Sequence, residues 1–337
     1  MVDVCIDKVV VDRYIPFIQG AIERVAREVV YLYPDEITPE AVRDADALMI
    51  RTRTRCNASL LEGSRCRFIA TGTIGMDQFD AGYCRSRGIE ITNAPGCNAP
   101  AVAQYVMAAI HRLRPGGARR IGIVGVGHVG GTVEKWARAN GMEVMRCDPP
   151  RARREGGDGF HTLNDIAGTC DVITFHTPLT REGADATYHL ADRAFFAAIR
   201  QKPVIINAAR GGVVDEEAAM DALSAGTVDS LAIDCWEGEP RISRRTLDMA
   251  AIATPHIAGY SLQGKARATR MILDAFSRHF GLPRLAMQRE IPTPIADSPS
   301  IADIAAQYDI MADDRMLRSA PDTFESLRDN YHYRNEP

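Results

Sequence analysis

"RIGIVGVGHVGGTVEKW", residues 120–136, decides how this chain is read. An apolar run leads into Gly125, Gly127 and Gly130, spaced G-x-G-x-x-G, and a helical pattern containing Trp136 follows. The order is strand, tight turn, helix. A second apolar run, "EVMRCD", ends on Asp148, eighteen residues beyond Gly130. Glycines at these places permit the turn, let a pyrophosphate approach the backbone and let helix pack on strand, while the helix N-terminus attracts phosphate charge. An acidic residue ending the next strand accepts hydrogen bonds from ribose hydroxyls and repels a 2′-phosphate. Gly125, Gly127, Gly130 and Asp148 therefore predict a bound dinucleotide, NAD rather than NADP. Arg151, Arg153 and Arg154 follow closely and could reach a 2′-phosphate; a solvated loop is the simpler reading of them.

Downstream, "CDVITFHT", "PVIINAAR", "LAIDCW" and "IATPH" continue the series, with helical patterns at "LADRAFFAAIR" and "EEAAMDALSAG" between them. Continuous apolar strands alternating with helices imply a parallel sheet covered on both faces. Upstream, "VDVCI", "EVVYLY", "ALMIR", "FIATGT" and "IEIT" read as strands, and "IPFIQGAIERVA" and "DAGYCRSRG" as helical patterns. Two parallel-sheet α/β domains in tandem follow, Rossmann-like or flavodoxin-like. "NAPGCNAPAVAQYVMAAIHRL" offers an Asn98 cap, a proline in the first turn and an apolar helix joining them. "SLQGKARATRMILDAFSRHF" reads as a helix returning to the first domain. After residue 281 a proline-rich stretch suggests a linker, then one or two short helices.

The 337 residues, 46% hydrophobic and 25% charged, fit a soluble protein of two or three domains. The start "MVDVCIDKVVVDRY" has no basic leader, so no signal peptide is expected, and no run is long enough to span a membrane. Eight single cysteines without a paired spacing predict reduced thiols and a cytoplasmic location. A net charge of −4 argues against general nucleic-acid binding. No metal is expected.

Polar residues then appear at the ends of successive predicted strands: Arg210 after "VIINAA", Asp234 in "LAIDCWEGEP" with Glu239 close behind, and His256 in "IATPHIAGYS". Ligands of open α/β sheets bind at that edge. The set suits a 2-hydroxy acid. Arg210 can grip a carboxylate with its planar fork. His256 can take the hydroxyl proton while hydride leaves C2, and Glu239 can orient the imidazole and favour its protonated form. His176 and Thr177 end a strand beside the predicted cofactor.

In "MIRTRTRCN", Arg51, Arg53 and Arg55 alternate with threonines, so an extended segment would place three guanidinium groups on one face. Spacing alone leaves two readings open: a charged edge strand, or an anion site for a phosphorylated substrate assisted by Thr52 and Thr73.

The glycine fingerprint, "INAARGGVVD", "DCWEGEP" and "TPHIAGYS" resemble the D-2-hydroxyacid dehydrogenase family. "CDPPRA", "ITFHTPLTREG", "TYHLAD" and "HIAGYSLQGKARATR" are similar to the branch that oxidises 4-phospho-D-erythronate. The resemblance implies Arg210, Glu239 and His256 as catalytic residues. It implies NAD contacts from His128, Val129, Asp148, Thr177, Ala208, Ala209, Arg210, Asp234 and Gly259. It also implies substrate contacts from Thr52, Thr73 and Tyr260, and favours the phosphate reading of Arg51. It further implies a homodimer built as a substrate domain of residues 1–95 and 257–282, an NAD domain of 96–256, and a linker with a short C-terminal dimerisation segment at 283–337. The implied reaction is NAD-dependent oxidation at C2, in vitamin B6 biosynthesis. A sister dehydrogenase for 3-phosphoglycerate or another 2-hydroxy acid would keep the same trio, and a non-enzymatic NAD-sensing protein could share the scaffold.

Overall fold

A computed structural model describes residues 6–289, 291–292 and 297–337. The chain divides into two compact units, residues 1–98 with 262–293, and residues 99–261 with 294–337. The divisions fall a few residues from those read in the sequence, and the stretch read as 283–337 is shared, its start belonging to the first unit and residues 294–337 to the second.

The first unit carries strands β1 (Ile6–Asp12), β2 (Ala26–Leu32), β3 (Ala47–Ile50), β4 (Phe68–Thr71) and β5 (Glu90–Thr92), all parallel in the order β2-β1-β3-β4-β5. Short helices α1 (Pro39–Val42), α2 (Ala58–Leu61) and α3 (Ala81–Ser86) accompany them. Alternate residues of β3 serve opposite faces: Ala47 and Met49 enter one core, Leu48 and Ile50 the other. β3 and β4 are buried at every residue, which is why they read as nearly unbroken apolar runs, whereas edge strand β2 leaves Arg27 and Glu28 exposed.

Two expectations change here, and a third falls mostly outside the described residues. The strand read at "VDVCI" lies, except for Ile6, outside the described residues, and β1 occupies Ile6 and the six residues that follow. The helix read over 15–26 is a series of turns with one 3-10 turn at Ile22–Arg24. Pro16 lacks an N–H, and Phe17 and Gly20 take φ of +64° and +74°, so no helical ladder forms. The arginine stretch is not extended: β3 stops at Ile50 and residues 52–54 form a turn.

The second unit opens with α4 (Ala99–Leu113), most of whose residues are buried. The Asn98 side-chain oxygen expected to cap it is buried without a hydrogen bond among the described residues. Then come β6 (Arg120–Val124), α5 (His128–Ala139), β7 (Glu143–Cys147), α6 (Pro149–Glu155), α7 (Leu163–Thr169), β8 (Val172–Phe175), α8 (Arg193–Ala198), β9 (Val204–Asn207), α9 (Glu216–Ser224), β10 (Ser230–Ile233), α10 (Arg244–Met249) and β11 (Ile252–Ala253). The six strands are parallel in the order β11-β10-β9-β8-β6-β7. The chain reverses direction at β6, so a crevice for a ligand opens beyond the carboxyl ends of β6 and β8.

Helix α11 (Leu262–His279) returns to the first unit and buries Ile272, Leu273 and Phe276 in one of its cores. Within the stretch read as a linker, Leu285 and Met287 are buried in that same core. The tail forms α12 (Ile301–Gln307), α13 (Ile310–Ser319) and α14 (Phe324–Asp329) on the second unit. There Asp314 accepts the Ala253 N–H of edge strand β11 at 2.8 Å, and Arg318 donates to the Leu247 and Ala250 carbonyls at 2.6 and 2.7 Å. The tail thereby satisfies an edge that would otherwise be open for pairing. Among the described residues no helix is long and apolar enough to cross a membrane.

Candidate active site

At the turn from β6 into α5, Gly125 and Gly130 each answer a separate steric demand. Gly125 holds φ of +87°, and a Cβ there would lie 2.8 Å from the His176 carbonyl carbon. A Cβ on Gly130 would lie 2.0 Å from the Gly125 oxygen, so helix and turn touch only because it is absent. Gly127 is different: beyond its chain neighbours and its own helix turn, nothing among the described residues lies within 4 Å of a Cβ built there. Gly127 and His128 are exposed and Val129 is half-buried. No side chain at the N-cap Gly127 closes the first turn of α5, leaving its N–H groups available to an anion.

Around this turn the polar groups suit a dinucleotide. The Thr177 hydroxyl, whose methyl group borders Gly125, is buried and makes no hydrogen bond among the described residues. His176 bonds Thr174 through Nε2 at 3.0 Å, and burial pushes its pKa down to about 3, so it is a neutral ring. Asp148 accepts the Val126 N–H at 2.8 Å and caps α6 through the Arg151 N–H at 2.9 Å. Arg151 is spent on Glu155 and the Val126 carbonyl, both at 2.6 Å, and Arg153 pairs with Asp185. The fit is to a dinucleotide without a 2′-phosphate.

Asn207, which the sequence reading passed over, ends β9 and organises the next turn. Its amide nitrogen donates to the Arg210 and Cys235 carbonyls at 3.1 and 3.0 Å, and its oxygen accepts the Ala209 N–H at 3.2 Å. Ala208, Ala209 and Arg210 are fixed in this turn, with Arg210 donating to the Ala209 carbonyl at 2.8 Å. Gly211 packs so closely on Trp236 that a Cβ would lie 1.8 Å from the tryptophan carbonyl oxygen. A polar residue closing the apolar run "VIIN" was the signal that could have marked Asn207.

Beyond β10 the chain passes Asp234 and the buried Trp236, whose ring N–H donates to the Thr254 carbonyl at 2.8 Å. Glu239 accepts the Trp236 backbone N–H at 3.2 Å through one oxygen and faces His256 Nδ1 at 2.7 Å through the other. Both side chains are a quarter exposed. His256 sits at φ of +54°, a left-handed conformation that residues with a Cβ rarely adopt. Burial alone would lower its pKa; the facing Cys235 sulfur and Glu239 carboxylate reverse this and hold it well above the ordinary histidine value. Burial raises the Cys235 thiol and keeps it neutral, so Glu239 is the charge responsible. Burial likewise opposes ionisation of Glu239, but His256 and Arg328 outweigh it and keep that carboxyl low.

Asp234 is 1% exposed. Its Oδ1 accepts the Thr254 hydroxyl and the Ile257 N–H at 2.7 and 2.8 Å, and its Oδ2 the Ala258 N–H at 3.0 Å. Its carboxylate thus grips the segment that carries His256. Gly259 and Tyr260 follow, half-buried, with the Tyr260 ring centroid 6.1 and 6.2 Å from those of Tyr331 and Tyr333.

In the first unit, Arg51 and Thr52 follow β3, and Thr73 follows its neighbour β4. The turn there still gathers two of the arginines: the guanidinium carbons of Arg51 and Arg53 lie 5.8 and 6.0 Å from the Tyr14 ring centroid. Both oppose the effect of burial, which raises the pKa of Asp12. Asp12, another residue not singled out in the sequence, ends β1. The Thr73 hydroxyl lies 2.8 Å from that of Thr71.

Residues 109–258 match the family described as D-isomer specific 2-hydroxyacid dehydrogenase, NAD binding domain. Erythronate-4-phosphate dehydrogenase of Bacteroides thetaiotaomicron is 46% identical over 98% of this chain and 97% of its own length. The protein of that name from Cronobacter sakazakii is 40% identical over 98% and 92%. Among solved structures, the TT0316 protein of Thermus thermophilus superposes with a TM-score of 0.70 at 26% identity, covering 82% of this chain and 98% of that one. The D-lactate dehydrogenase of Aquifex aeolicus, solved with NAD and lactic acid, shares the fold with a TM-score of 0.65 at 21% identity, covering 84% and 100%. With near-complete coverage of those curated relatives and a dinucleotide turn leading to the Arg210, Glu239 and His256 edge, the chain belongs to the erythronate-4-phosphate dehydrogenase family of NAD-binding, D-isomer specific 2-hydroxyacid dehydrogenases.

Proposed function

We propose that this chain oxidises 4-phospho-D-erythronate at C2 to (R)-3-hydroxy-2-oxo-4-phosphooxybutanoate, an NAD-dependent step of vitamin B6 biosynthesis. The 2.7 Å pairing of His256 with Glu239, on the sheet edge that also carries Arg210, is the observation that supports it. NAD, when bound, supplies the hydride acceptor. Gly125, Gly127, His128, Val129 and Gly130 cradle its phosphates, Asp148 holds the ribose hydroxyls, and Thr177, Ala208, Ala209, Asp234 and Gly259 complete its contacts. Arg210 grips the substrate carboxylate and polarises the C2 oxygen. With Nδ1 committed to Glu239, His256 Nε2 is the nitrogen that takes the C2 hydroxyl proton. The resulting imidazolium is stabilised by the Glu239 carboxylate. Tyr260, Arg51, Thr52 and Thr73 contact the substrate, the arginine meeting its phosphate.

Formation of NADH by the purified protein tests this, with 4-phospho-D-erythronate compared against 3-phosphoglycerate and unphosphorylated erythronate. Selective oxidation of the four-carbon phosphate is expected; preference for 3-phosphoglycerate would overturn the substrate assignment. His256→Asn is expected to cost about two to four orders of magnitude in turnover with NAD affinity retained. Near-normal turnover in that variant would remove His256 from the proton path.

The reading extends to a cytoplasmic homodimer. The family resemblance supports the dimer, and the seven buried free thiols among the described residues suit a reducing compartment. Sedimentation velocity measures the oligomer directly, and a monomer at micromolar concentration would overturn it.

A further inference from the structure

Arg334, close to the C-terminus, is 9% exposed, although it lies in the polar stretch "NYHYRNEP". Its Nη1 donates to the carbonyls of Ile257 and Tyr260, each at 3.1 Å, and its Nη2 to the carbonyls of Ala258 and, at 3.0 Å, Ala101. Its Nε donates to Gln104 of α4 at 3.0 Å, and its guanidinium carbon stands 4.4 Å from the Tyr308 ring centroid. Two residues on, Glu336, 5% exposed, accepts the Ser261 hydroxyl at 2.6 Å. The same segment thus has its N–H groups at Ile257 and Ala258 held by Asp234 and its carbonyls at Ile257, Ala258 and Tyr260 held by Arg334.

We infer that Arg334, latched in place by Glu336, is a positioning residue that holds His256 in its left-handed backbone and so aims the imidazole at both Glu239 and the C2 hydroxyl. A left-handed non-glycine residue persists only where its surroundings over-determine it. Asp234 fixes one side of the peptide groups that follow His256, and Arg334 fixes the other with a planar, multiply donating fork. An ammonium group carries the same charge but lacks that fork. The C-terminal residues therefore complete the catalytic segment of their own chain. This rests on the proposed role of His256 as proton acceptor.

The test uses the full chain with Arg334→Lys. Because a misplacement of about 1 Å can cost about a hundredfold, kcat is expected to fall about ten- to a hundredfold. Because the held segment also carries Gly259 and Tyr260, the KM for NAD and for substrate should rise, but by a smaller factor than kcat falls. A role confined to stability would lower the melting temperature and leave kcat of the folded protein alone. Independently of substrate, proton NMR should show the His256 Nδ1–H resonance far downfield in the wild type, assigned by its loss in His256→Asn, and broadened or shifted upfield in Arg334→Lys. Unchanged kcat and an unchanged resonance in the folded variant would overturn the inference. If the lysine variant does not fold, Glu336→Gln takes its place, with an expected loss of about three- to tenfold in kcat by the same misplacement argument and the same spectral change; wild-type values there would overturn it. Absence of wild-type turnover with 4-phospho-D-erythronate would sink the proposed substrate, while the resonance would still decide on Arg334.

Discussion

Glu239→Gln keeps the shape of the side chain facing His256 and removes its charge. With the two groups 2.7 Å apart, their charge centres are about 4 Å apart, worth about 4 kcal/mol at an effective dielectric of about 20. Both side chains are a quarter exposed, and solvent screening reduces this to about 2 kcal/mol. Without that interaction the His256 pKa should fall back from its raised position. Reduction of the 2-oxo acid needs the imidazolium, so its rate holds below the His256 pKa and declines above it. In the variant that decline should move to lower pH. Oxidation needs the neutral ring, so its rising limb should move the same way. Stability follows the same pair. The raised His256 pKa contributes stability in full below the ordinary histidine range, and this is lost as pH rises through the folded-state value. The lowered Glu239 pKa contributes above the ordinary glutamate range, and this is lost as pH falls through its folded-state value. Wild type and variant should therefore differ by about 2 kcal/mol between those limits and converge outside them. The assay is a pH profile of kcat in both directions, with denaturant melts at the same pH values. Limbs that stay in place would refute the assignment of Glu239 as the charge that sets the His256 pKa.

Gly127→Ala should fold normally, since among the described residues the added Cβ meets nothing within 4 Å beyond its own turn, yet weaken NAD binding measured by calorimetry. Gly130→Ala should instead lower the melting temperature, because its Cβ would stand 2.0 Å from the Gly125 oxygen. Arg51→Ala should lower kcat/KM for the phosphorylated substrate by about 10- to 150-fold, the loss of a charged hydrogen bond of about 1.5–3 kcal/mol, and leave unphosphorylated erythronate nearly unchanged. Equal losses on both substrates would detach Arg51 from the phosphate. Asp234→Asn should cost about 1–3 kcal/mol in denaturant melts, because an amide cannot accept at both of its ends and one buried N–H loses its partner; a cost near zero would mean that the segment repacks without the carboxylate.

The inner strands of the second unit were legible because they are buried on both faces and read as nearly unbroken apolar runs, whereas edge strand β7 carries Glu143 and Arg146 and was legible from its place after the glycine turn. The catalytic set was legible for a related reason: polar residues at the ends of such runs have few structural explanations. Residues 15–26 misled because their apolar spacing mimics a helix while Pro16 and the backbone at Phe17 and Gly20 forbid one. "MIRTRTRCN" misled in the opposite sense, since alternation continues in sequence past Ile50, where pairing with β4 ends. Arg334 and Glu336 carry no local sign of burial at all. Their environment is created by α4, Tyr308 and the 257–261 segment, which are remote in sequence, and no periodicity in the tail could announce them.

Asp234 and Glu239 show why residue type alone under-determines the chemistry of this edge. The two carboxylates stand five positions apart after the same strand. Burial raises the pKa of Asp234, and its oxygens are met by a hydroxyl and two backbone N–H groups, partners that fix geometry and exchange no proton at neutral pH. Glu239 is partly open to solvent, and besides one backbone N–H its strong partner is a titratable ring. Asp234 therefore holds the backbone of the histidine and acts on its charge only across space, whereas Glu239 pairs with the ring directly. Substitution should separate them: Asp234→Asn acts first on stability at every pH, whereas Glu239→Gln acts first on the pH at which turnover changes. A histidine poised by two acids in this way needs the backbone held before its pKa can matter, because an imidazole rotated away from the C2 hydroxyl transfers no proton whatever its basicity.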